Sequence, residues 1–143
     1  MTMTESGFFC DNAYRRDGKL VLSGERTEAC QYYAFFFNIA NEKDDADLLR
    51  ILLDDFGYER RQNNKYPEIH FANAFIGNYL RLDYICRLGK YDLLIDNIKS
   101  YFHYMAKITG TLWENETSYA SCNHGFASHV IYWLDKAGML DKE

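Results

Sequence analysis

The chain has 143 residues, a formal net charge of −5, 48% hydrophobic residues and 26% charged residues. These proportions are typical of one globular domain and exclude a disordered chain. The negative charge argues against a nucleic-acid partner, which requires a basic face. No apolar run approaches the roughly 20 residues of a membrane helix, so no membrane partner is expected. Aromatic residues, at 17%, are typical of a wide apolar interior or of a carbohydrate-facing surface.

Cysteine content and the start of the chain bear on the compartment. Cys10, Cys30, Cys86 and Cys122 are widely spaced, and we interpret them as free thiols rather than as a disulfide framework. The start, MTMTESGFF, has neither the basic region nor the apolar stretch of a signal peptide. If Met1 is the natural start, a cytoplasmic protein is predicted.

The first predicted element is a β-ribbon in AYRRDGKLVLS, where Asp17 and Gly18 separate two short runs and give a hairpin signal. The next segment, TEACQYYAFFFNIA, predicts a helix over residues 27–40 with Thr27 as its cap. Apolar residues occupy nearly every side of this helix, so we expect it to be buried. A strand is the competing interpretation, but the length of the segment favours a helix.

Four further helices are predicted by apolar residues that recur every three or four positions. Their segments are DDADLLRILLDDFG, FANAFIGNYLRLDYICRLG, YDLLIDNIKSYFHYMAKI and a last helix from about Gly125 to Gly138. Gly57 and Gly89 are expected to end the first two. Short links, NEKD and LGKY, make the joined helices antiparallel neighbours. The fold is therefore predicted to be all-α and a single domain, with the ribbon in a leader over residues 1–24 and about five helices over residues 25–137.

Two long connections, residues 57–71 and 109–123, lie between the helix pairs. In an antiparallel succession, connections two helices apart fall at the same end, so the leader and both connections are predicted to converge on one face. Acids and amides bind hydroxyl groups, and an aromatic ring covers the C–H face of a sugar, so this face predicts a neutral polyhydroxylated ligand. The residues expected on it are Glu25, Glu28, Gln31, Tyr66, Glu68, His70, Asn73, Trp113, Glu114, Glu116, Asn123 and His124.

The loop before the last helix contains the strongest candidates for acid–base chemistry. Glycoside hydrolysis needs two carboxyl groups, one that donates a proton and one that activates water or attacks directly. Glu114 suits the base, because the ring of Trp113 would shield it partly from water. His124, near the start of the last helix, is expected to contact the substrate or to orient that carboxylate. Each has a structural alternative: Trp113 as a core residue, Glu114 as a solvated acid and His124 as a helix cap.

Metal-ion and nucleophilic chemistry have weaker support. Cys122, His124 and His129 have the spacing C-x-H-x4-H, which matches no standard zinc motif, so neither a metal nor a cofactor is predicted. A nucleophilic pair of Cys122 and His124 is disfavoured, since residues two apart on a helix do not face each other. No glycine-rich phosphate loop occurs in the sequence.

Three segments together resemble the C-terminal half of the catalytic domain of bacterial α-L-rhamnosidase-like enzymes: TEACQYYAFFF, YPEIHFANAFIGNYLRL and GTLWENETSYASCNHGFASHV. Those enzymes are six-hairpin glycosidases close to glycoside hydrolase family 78, and the resemblance runs from about Phe9 to Leu134. It implies an (α/α)6 toroid of alternating inner and outer helices. It also implies hydrolysis of terminal α-L-rhamnosyl links with inversion of configuration and without a catalytic metal.

The same resemblance implies roles for individual residues. Glu114 in LWE matches the general base that activates water, while Trp113 and His124 would line the sugar pocket. Glu28 and Gln31 would lie where an inner helix opens towards the centre. Asn123 and His70, which the helix succession rather than the resemblance places on this face, complete the predicted substrate-binding set.

The chain also departs from the family pattern. Five helices cannot close a ring of twelve, so the chain is expected to form a partial toroid. The family's general acid lies in an acidic, arginine-containing motif earlier in the barrel, whereas EKDDADLLRILLDDFGYERR is typical of an amphipathic outer helix. We therefore expect the general-base half of a rhamnosidase site, inactive alone, with apolar flanks that favour self-association. The alternatives are a non-catalytic carbohydrate-binding or helical interaction module and a plain helical scaffold.

Overall fold

The structure of the protein, a computed structural model, describes residues 6–73, 75–115, 117 and 119–140. The chain divides into two compact units, Met1–Ala72 and Asn73–Glu143. In the part of the chain that is described, no helix is long and apolar enough to cross a membrane.

The first unit begins with the predicted β-ribbon. Strands β1 (Ala13–Arg16) and β2 (Lys19–Leu22) are antiparallel. Both turn residues have positive φ, 51° at Asp17 and 75° at Gly18, which is the geometry that matches the twist of a two-residue hairpin. The ribbon prediction is confirmed, and its turn chemistry explains why a local pattern was sufficient.

Helix α1 spans Glu28–Phe36. The Thr27 hydroxyl accepts the backbone N–H of Cys30 at 3.1 Å, so the predicted cap is confirmed. Every residue of α1 is buried or half-buried, as its all-round apolar pattern predicted. The predicted continuation to residue 40 is wrong, because Asn38 adopts a left-handed conformation with φ of 56°. Phe37 lies past the helix end and is 61% exposed.

The rest of the first unit consists of two helical pieces and a loop. Helix α2 covers residues 46–55, beginning as an α-helix over Ala46–Arg50 and ending as a π-helix over Ile51–Asp55. A single turn, α3 (Arg60–Asn63), follows. The buried apolar side chains of this unit include Phe8, Phe9, Phe35, Leu48, Leu52, Phe56 and Ile69.

The second unit contains the three remaining helices. Helix α4 spans Ile76–Arg87, α5 covers residues 91–109, and α6 covers residues 125–136. A π-helical turn interrupts α5 at Lys99–His103, and α6 opens with a 3-10 turn at Gly125–His129. The three helices pack on one another around a core that includes Leu80, Leu82, Ile85, Leu94, Ile98, Phe102, Met105, Val130 and Trp133.

The start of α4 differs from the sequence prediction. The apolar periodicity predicted a helix from Phe71, whereas α4 begins at Ile76. The Asn73 side chain accepts the backbone N–H of Gly77 at 2.8 Å, so it satisfies a first-turn donor and marks the start of the helix. Gly89, with φ of 67°, follows the end of α4 as predicted.

At the level of fold class, the prediction is confirmed in part. The described residues form five helices longer than one turn together with a two-stranded ribbon, and all four cysteines are free. The (α/α)6 toroid, the single domain over residues 1–143 and the convergence of the long connections on one face stay predictions.

Candidate functional site

The loop between α5 and α6 has a closed neck, which we define as Leu112, Glu114, Ser121 and His124. The backbone N–H of Glu114 donates to the carbonyl of Ser121 at 2.9 Å. Across from it, the N–H of His124 donates to the carbonyl of Leu112 at 2.8 Å. These two bonds bring the LWE segment beside the NHG segment, although about ten residues separate them in sequence. The neck thus holds the backbones of the predicted base and the predicted pocket histidine in one small structure.

Trp113 anchors the neck to the interior of the second unit. Its side chain is 3% exposed, and the indole Nε1–H donates to the hydroxyl of Thr109 at 2.7 Å. The ring also meets Tyr104 edge-on, with centroids 5.8 Å apart. This arrangement favours the alternative in which Trp113 is a core residue. Direct contact between the indole and a sugar stays a prediction, and only a small fraction of the ring is accessible to a ligand.

Glu114 is half-buried, and only its backbone is held by the neck. None of the residues that the structure describes forms a hydrogen bond or an ion pair with its carboxylate. Glu116, the other acid in this loop, lies outside the described residues. A fixed backbone with an uncommitted carboxylate suits a group that must accept a proton from water or from a ligand.

Asn123 adjoins the neck on the side of α6 and is exposed. Its backbone N–H and carbonyl both bond to the hydroxyl of Ser121, at 3.3 and 3.1 Å. Its side-chain amide bonds to nothing within the described ranges, so two donors and an acceptor face outward from an ordered backbone.

His124 lies against an aromatic ring that contributes to its position. Its imidazole stacks on Phe75, with centroids 4.6 Å apart and planes 15° apart. The Nδ1 atom is buried, and it has no hydrogen-bond partner among the residues described. The backbone carbonyl of His124 accepts from Ala127 at 3.0 Å in the first turn of α6. The helix-cap alternative therefore holds for the backbone of His124 but not for its side chain.

A cluster of rings continues from His124 into α6, and the sequence prediction of the site did not include it. Phe126, 48% exposed, meets Phe75 and Tyr79 edge-on. Behind it, His129 accepts the indole N–H of Trp133 through Nδ1 at 3.1 Å. Phe75 and Tyr79 have the spacing of one helical face, and Phe126 follows His124 by two residues. That pattern could have indicated a shared cluster, but not which ring stays exposed.

In the first unit, Glu28 is buried at 4% exposure at the start of α1. Its Oε1 accepts the hydroxyl of Tyr32. Its Oε2 accepts from Arg60 Nη2 at 3.1 Å and from the backbone N–H of Ala72 at 3.3 Å. Three donors thus use both oxygens, and contact between Glu28 and a substrate stays a prediction.

Gln31 has no exposed surface. Its amide nitrogen donates to the carbonyls of Phe9 and Thr27, at 3.0 and 2.9 Å, and its oxygen accepts the N–H of Phe9 at 2.8 Å. These bonds tie the leader to α1. Any role of Gln31 in binding a substrate would require at least one of them to break.

His70 is the predicted binding residue of the first unit that lies on the surface. Its side chain is 67% exposed, and Nε2 lies 3.0 Å from the carboxylate of Glu25. Its backbone pairs with the chain before α1: its N–H donates to Arg26, and its carbonyl accepts from Glu28, each at 2.9 Å. His70 and Glu25 therefore form one exposed pair in the first unit.

The remaining candidates have local roles or stand alone. The hydroxyl of Tyr66 donates to Asp55 at 3.1 Å, Asn73 marks the start of α4, and Glu68 is exposed. Within the described ranges, no three His, Cys, Asp or Glu side chains are grouped as a metal site requires. The structure therefore brings together Glu114, Asn123 and His124 in one unit. It brings Glu25 and His70 together in the other, and a site that unites both sets stays a prediction.

Comparison of the chain with protein-family models, with curated proteins and with solved structures finds no match in any of the three.

Proposed function

We propose that the second unit carries the general-base half of an inverting glycosidase of the α-L-rhamnosidase type, with Glu114 as the base. The observation that supports this best is the neck, which fixes the backbone of Glu114 while its carboxylate has no partner among the described residues. A general base needs both properties, because it must accept a proton from a water molecule held in one position.

The resemblance supplies the class of substrate. The segments that carry it most specifically, GTLWE and SCNHGFAS, are the two sides of the neck, so they meet in space as residues of one site would. The exposed amide of Asn123 and the imidazole of His124 are groups that bind sugar hydroxyls. Rhamnosides and related deoxysugars are accordingly the proposed ligands.

An inverting site also needs an acid about 6.5–9.5 Å from the base, with the attacking water between the two carboxyl groups. In the proposed mechanism, Glu114 removes a proton from water as the oxygen of water attacks the anomeric carbon. A separate acid protonates the departing glycosidic oxygen. The sequence shows no counterpart of that acid, so we expect the chain alone to leave ordinary rhamnosides intact.

Substrates with different leaving groups test directly whether the chain supplies a general base but no general acid. α-L-Rhamnosyl fluoride releases fluoride without an acid, whereas methyl α-L-rhamnopyranoside requires protonation of its leaving oxygen. We expect slow hydrolysis of the fluoride, lowered about 10²–10⁴-fold by Glu114→Gln, and no hydrolysis of the methyl glycoside. Asp135→Asn, at an exposed carboxylate of α6, is the matched control and should leave the rate unchanged. Equal rates for the wild type and Glu114→Gln would rule out Glu114 as the base.

A second candidate function is a carbohydrate-binding module without catalysis. It is favoured by the burial of Trp113, which leaves little of the indole for a substrate to contact, and by the amide of Asn123, which has no partner among the described residues. Binding of methyl α-L-rhamnopyranoside that survives Glu114→Gln, with no fluoride hydrolysis, would support this candidate.

Self-association forms part of the proposal, since neighbouring exposed apolar residues often mark contact surfaces. Ile131 and Tyr132 are adjacent on α6 and are 58% and 52% exposed. We expect sedimentation velocity to show concentration-dependent association that Ile131→Lys weakens. Asp135→Lys adds the same side chain nearby without removing apolar surface and should weaken association less. A monomer at every concentration would contradict the proposal.

A further inference from the structure

Phe126 presents an aromatic ring at the surface beside the neck. It lies in the first turn of α6 and is 48% exposed. Three rings support it, each meeting it at a steep angle: Phe75 at 5.9 Å, Tyr79 at 6.1 Å and His129 at 5.9 Å between centroids. Edge-to-face contacts of this kind stabilise an aromatic ring in one orientation. Phe126 is therefore a supported ring with open surface.

The polar groups of the neck share a support with this ring. Phe75 stacks flat on the imidazole of His124 and meets Phe126 edge-on. A single residue thus sets the position of an imidazole and of an exposed phenyl ring. Asn123, directly before His124, adds an amide that no described residue engages. Within four consecutive residues the chain presents hydrogen-bonding groups and an aromatic surface.

That combination matches the two kinds of surface on a pyranose ring. Hydroxyl groups need donors and acceptors, and the patches of C–H groups pack on an aromatic face. The indole that the sequence suggested for this purpose is 3% exposed, so it presents little surface to a sugar. Phe126 has the exposed area that Trp113 lacks.

We infer that Phe126 is the aromatic platform of the sugar site and that it packs against the C–H face of the bound pyranose. Asn123 and His124 bind the hydroxyls of the same ring. The inference rests on the proposed function for the nature of the ligand. Phe126 would help to determine the specificity of the site, a role that neither the sequence motifs nor the resemblance gives to it. Because a 6-deoxysugar presents a methyl group instead of a hydroxymethyl group, its apolar surface suits such a platform.

The test is binding of methyl α-L-rhamnopyranoside to the full chain, followed by NMR. Intermolecular NOEs are expected between sugar C–H protons and the ring protons of Phe126. We expect Phe126→Ala to weaken binding about threefold to tenfold, and Phe126→Tyr, which keeps the flat ring, to retain it. Ile108→Ala, which shortens a more exposed side chain on α5 of the same unit, is the matched control and should have no effect.

Weaker binding that is caused by a folding defect can be distinguished from weaker binding that is caused by loss of the aromatic platform. Phe126→Leu keeps an apolar side chain without a flat face, so it should fold like the wild type by circular dichroism and still bind more weakly. Unchanged binding by Phe126→Ala, together with loss of binding by Asn123→Ala, would overturn the platform and leave the proposed function intact. Absence of binding by the wild type would also overturn the platform. The fluoride assay of Glu114→Gln would then judge the proposed function independently.

Discussion

The carboxylate of Glu28 and the guanidinium of Arg60 form an ion pair inside the first unit, with Oε2 and Nη2 3.1 Å apart and side-chain exposures of 5% and 0%. The guanidinium lies over the rings of Phe56 and Phe71, 4.6 and 4.0 Å from their centroids. It also donates to the carbonyl of Ile69 at 2.9 Å. The pair therefore connects the start of α1 to the loop that follows α3.

Arg60→Met should destabilise the first unit strongly. It keeps much of the side-chain volume but leaves the carboxylate of Glu28 buried without a counter-charge, a change that costs about 3–5 kcal/mol. The free energy of unfolding from urea denaturation measures this. Arg50→Met is the matched control, because the Arg50 side chain is 57% exposed and its contact with Asp55, at 3.7 Å, contributes about 0–1 kcal/mol. Similar losses for both variants would contradict the buried pair.

Gln31→Met tests the bonds between the leader and α1. Methionine fits a similar volume but leaves the backbone groups of Phe9 without their side-chain partner. Each buried group that loses its partner costs about 1–3 kcal/mol. We expect a lower urea midpoint and faster amide hydrogen exchange at Phe9. The control, Gln62→Met, makes the same chemical change at an exposed position and should alter stability by less than about 0.5 kcal/mol.

Local signals in the sequence predicted the ribbon and the five longer helices, but not the single turn α3. The hairpin required Asp17 and Gly18 at adjacent positions, and the start of α1 required a hydroxyl at Thr27, so the determinants lie within a few residues. Helix ends were less predictable. Asn38 ended α1 earlier than the apolar run indicated, because a single left-handed residue outweighs a continuing pattern.

Contacts between residues that are far apart in the chain could not be predicted from the sequence. In the sequence, Glu28 is recognisable only as an acidic residue in the first turn of α1. Its partner Arg60 lies 32 residues away, so no local sequence pattern predicts the ion pair. Trp113 and Phe126 are both aromatic residues near the same motif. The sequence interpretation assigned a place in the sugar pocket to Trp113, with a core position as its alternative, and assigned no role to Phe126. In the structure Trp113 is buried against Thr109 and Tyr104, whereas Phe126 is 48% exposed.

Lys65→Met should reduce the acid sensitivity of the first unit. The hydrogen bond from Lys65, at 2.5 Å, holds the pKa of Asp55 below its ordinary value of 3.8, and the hydroxyl of Tyr66 acts in the same direction. A carboxylate with a lowered folded pKa adds stability above its unfolded pKa, and that stability is lost as pH falls through the folded pKa. The difference in Tm between wild type and Lys65→Met should therefore be largest near neutral pH.

This difference should shrink on acidification and approach zero once Asp55 is protonated in both proteins. Lys43→Met, at an exposed lysine whose side chain makes no bond within the described residues, is the control for loss of one positive charge. Its Tm difference from the wild type should vary less with pH. A constant difference for Lys65→Met across the acid range would contradict the bond with Asp55.

Trp113 provides the sharpest test of how the neck is built. Its indole is 3% exposed and donates a hydrogen bond to Thr109, so we expect acrylamide to quench the fluorescence of Trp113 only weakly. The measurement uses a Trp133→Phe variant, in which Trp113 is the one remaining tryptophan. Truncation to alanine removes a buried aromatic ring, so Trp113→Ala should lower the free energy of unfolding by about 3–5 kcal/mol. Tyr119→Ala, at an 86% exposed ring in the same loop, should change it little. Strong quenching with little loss of stability would mean that the indole faces solvent, and Trp113 would then replace Phe126 as the ring available to a sugar.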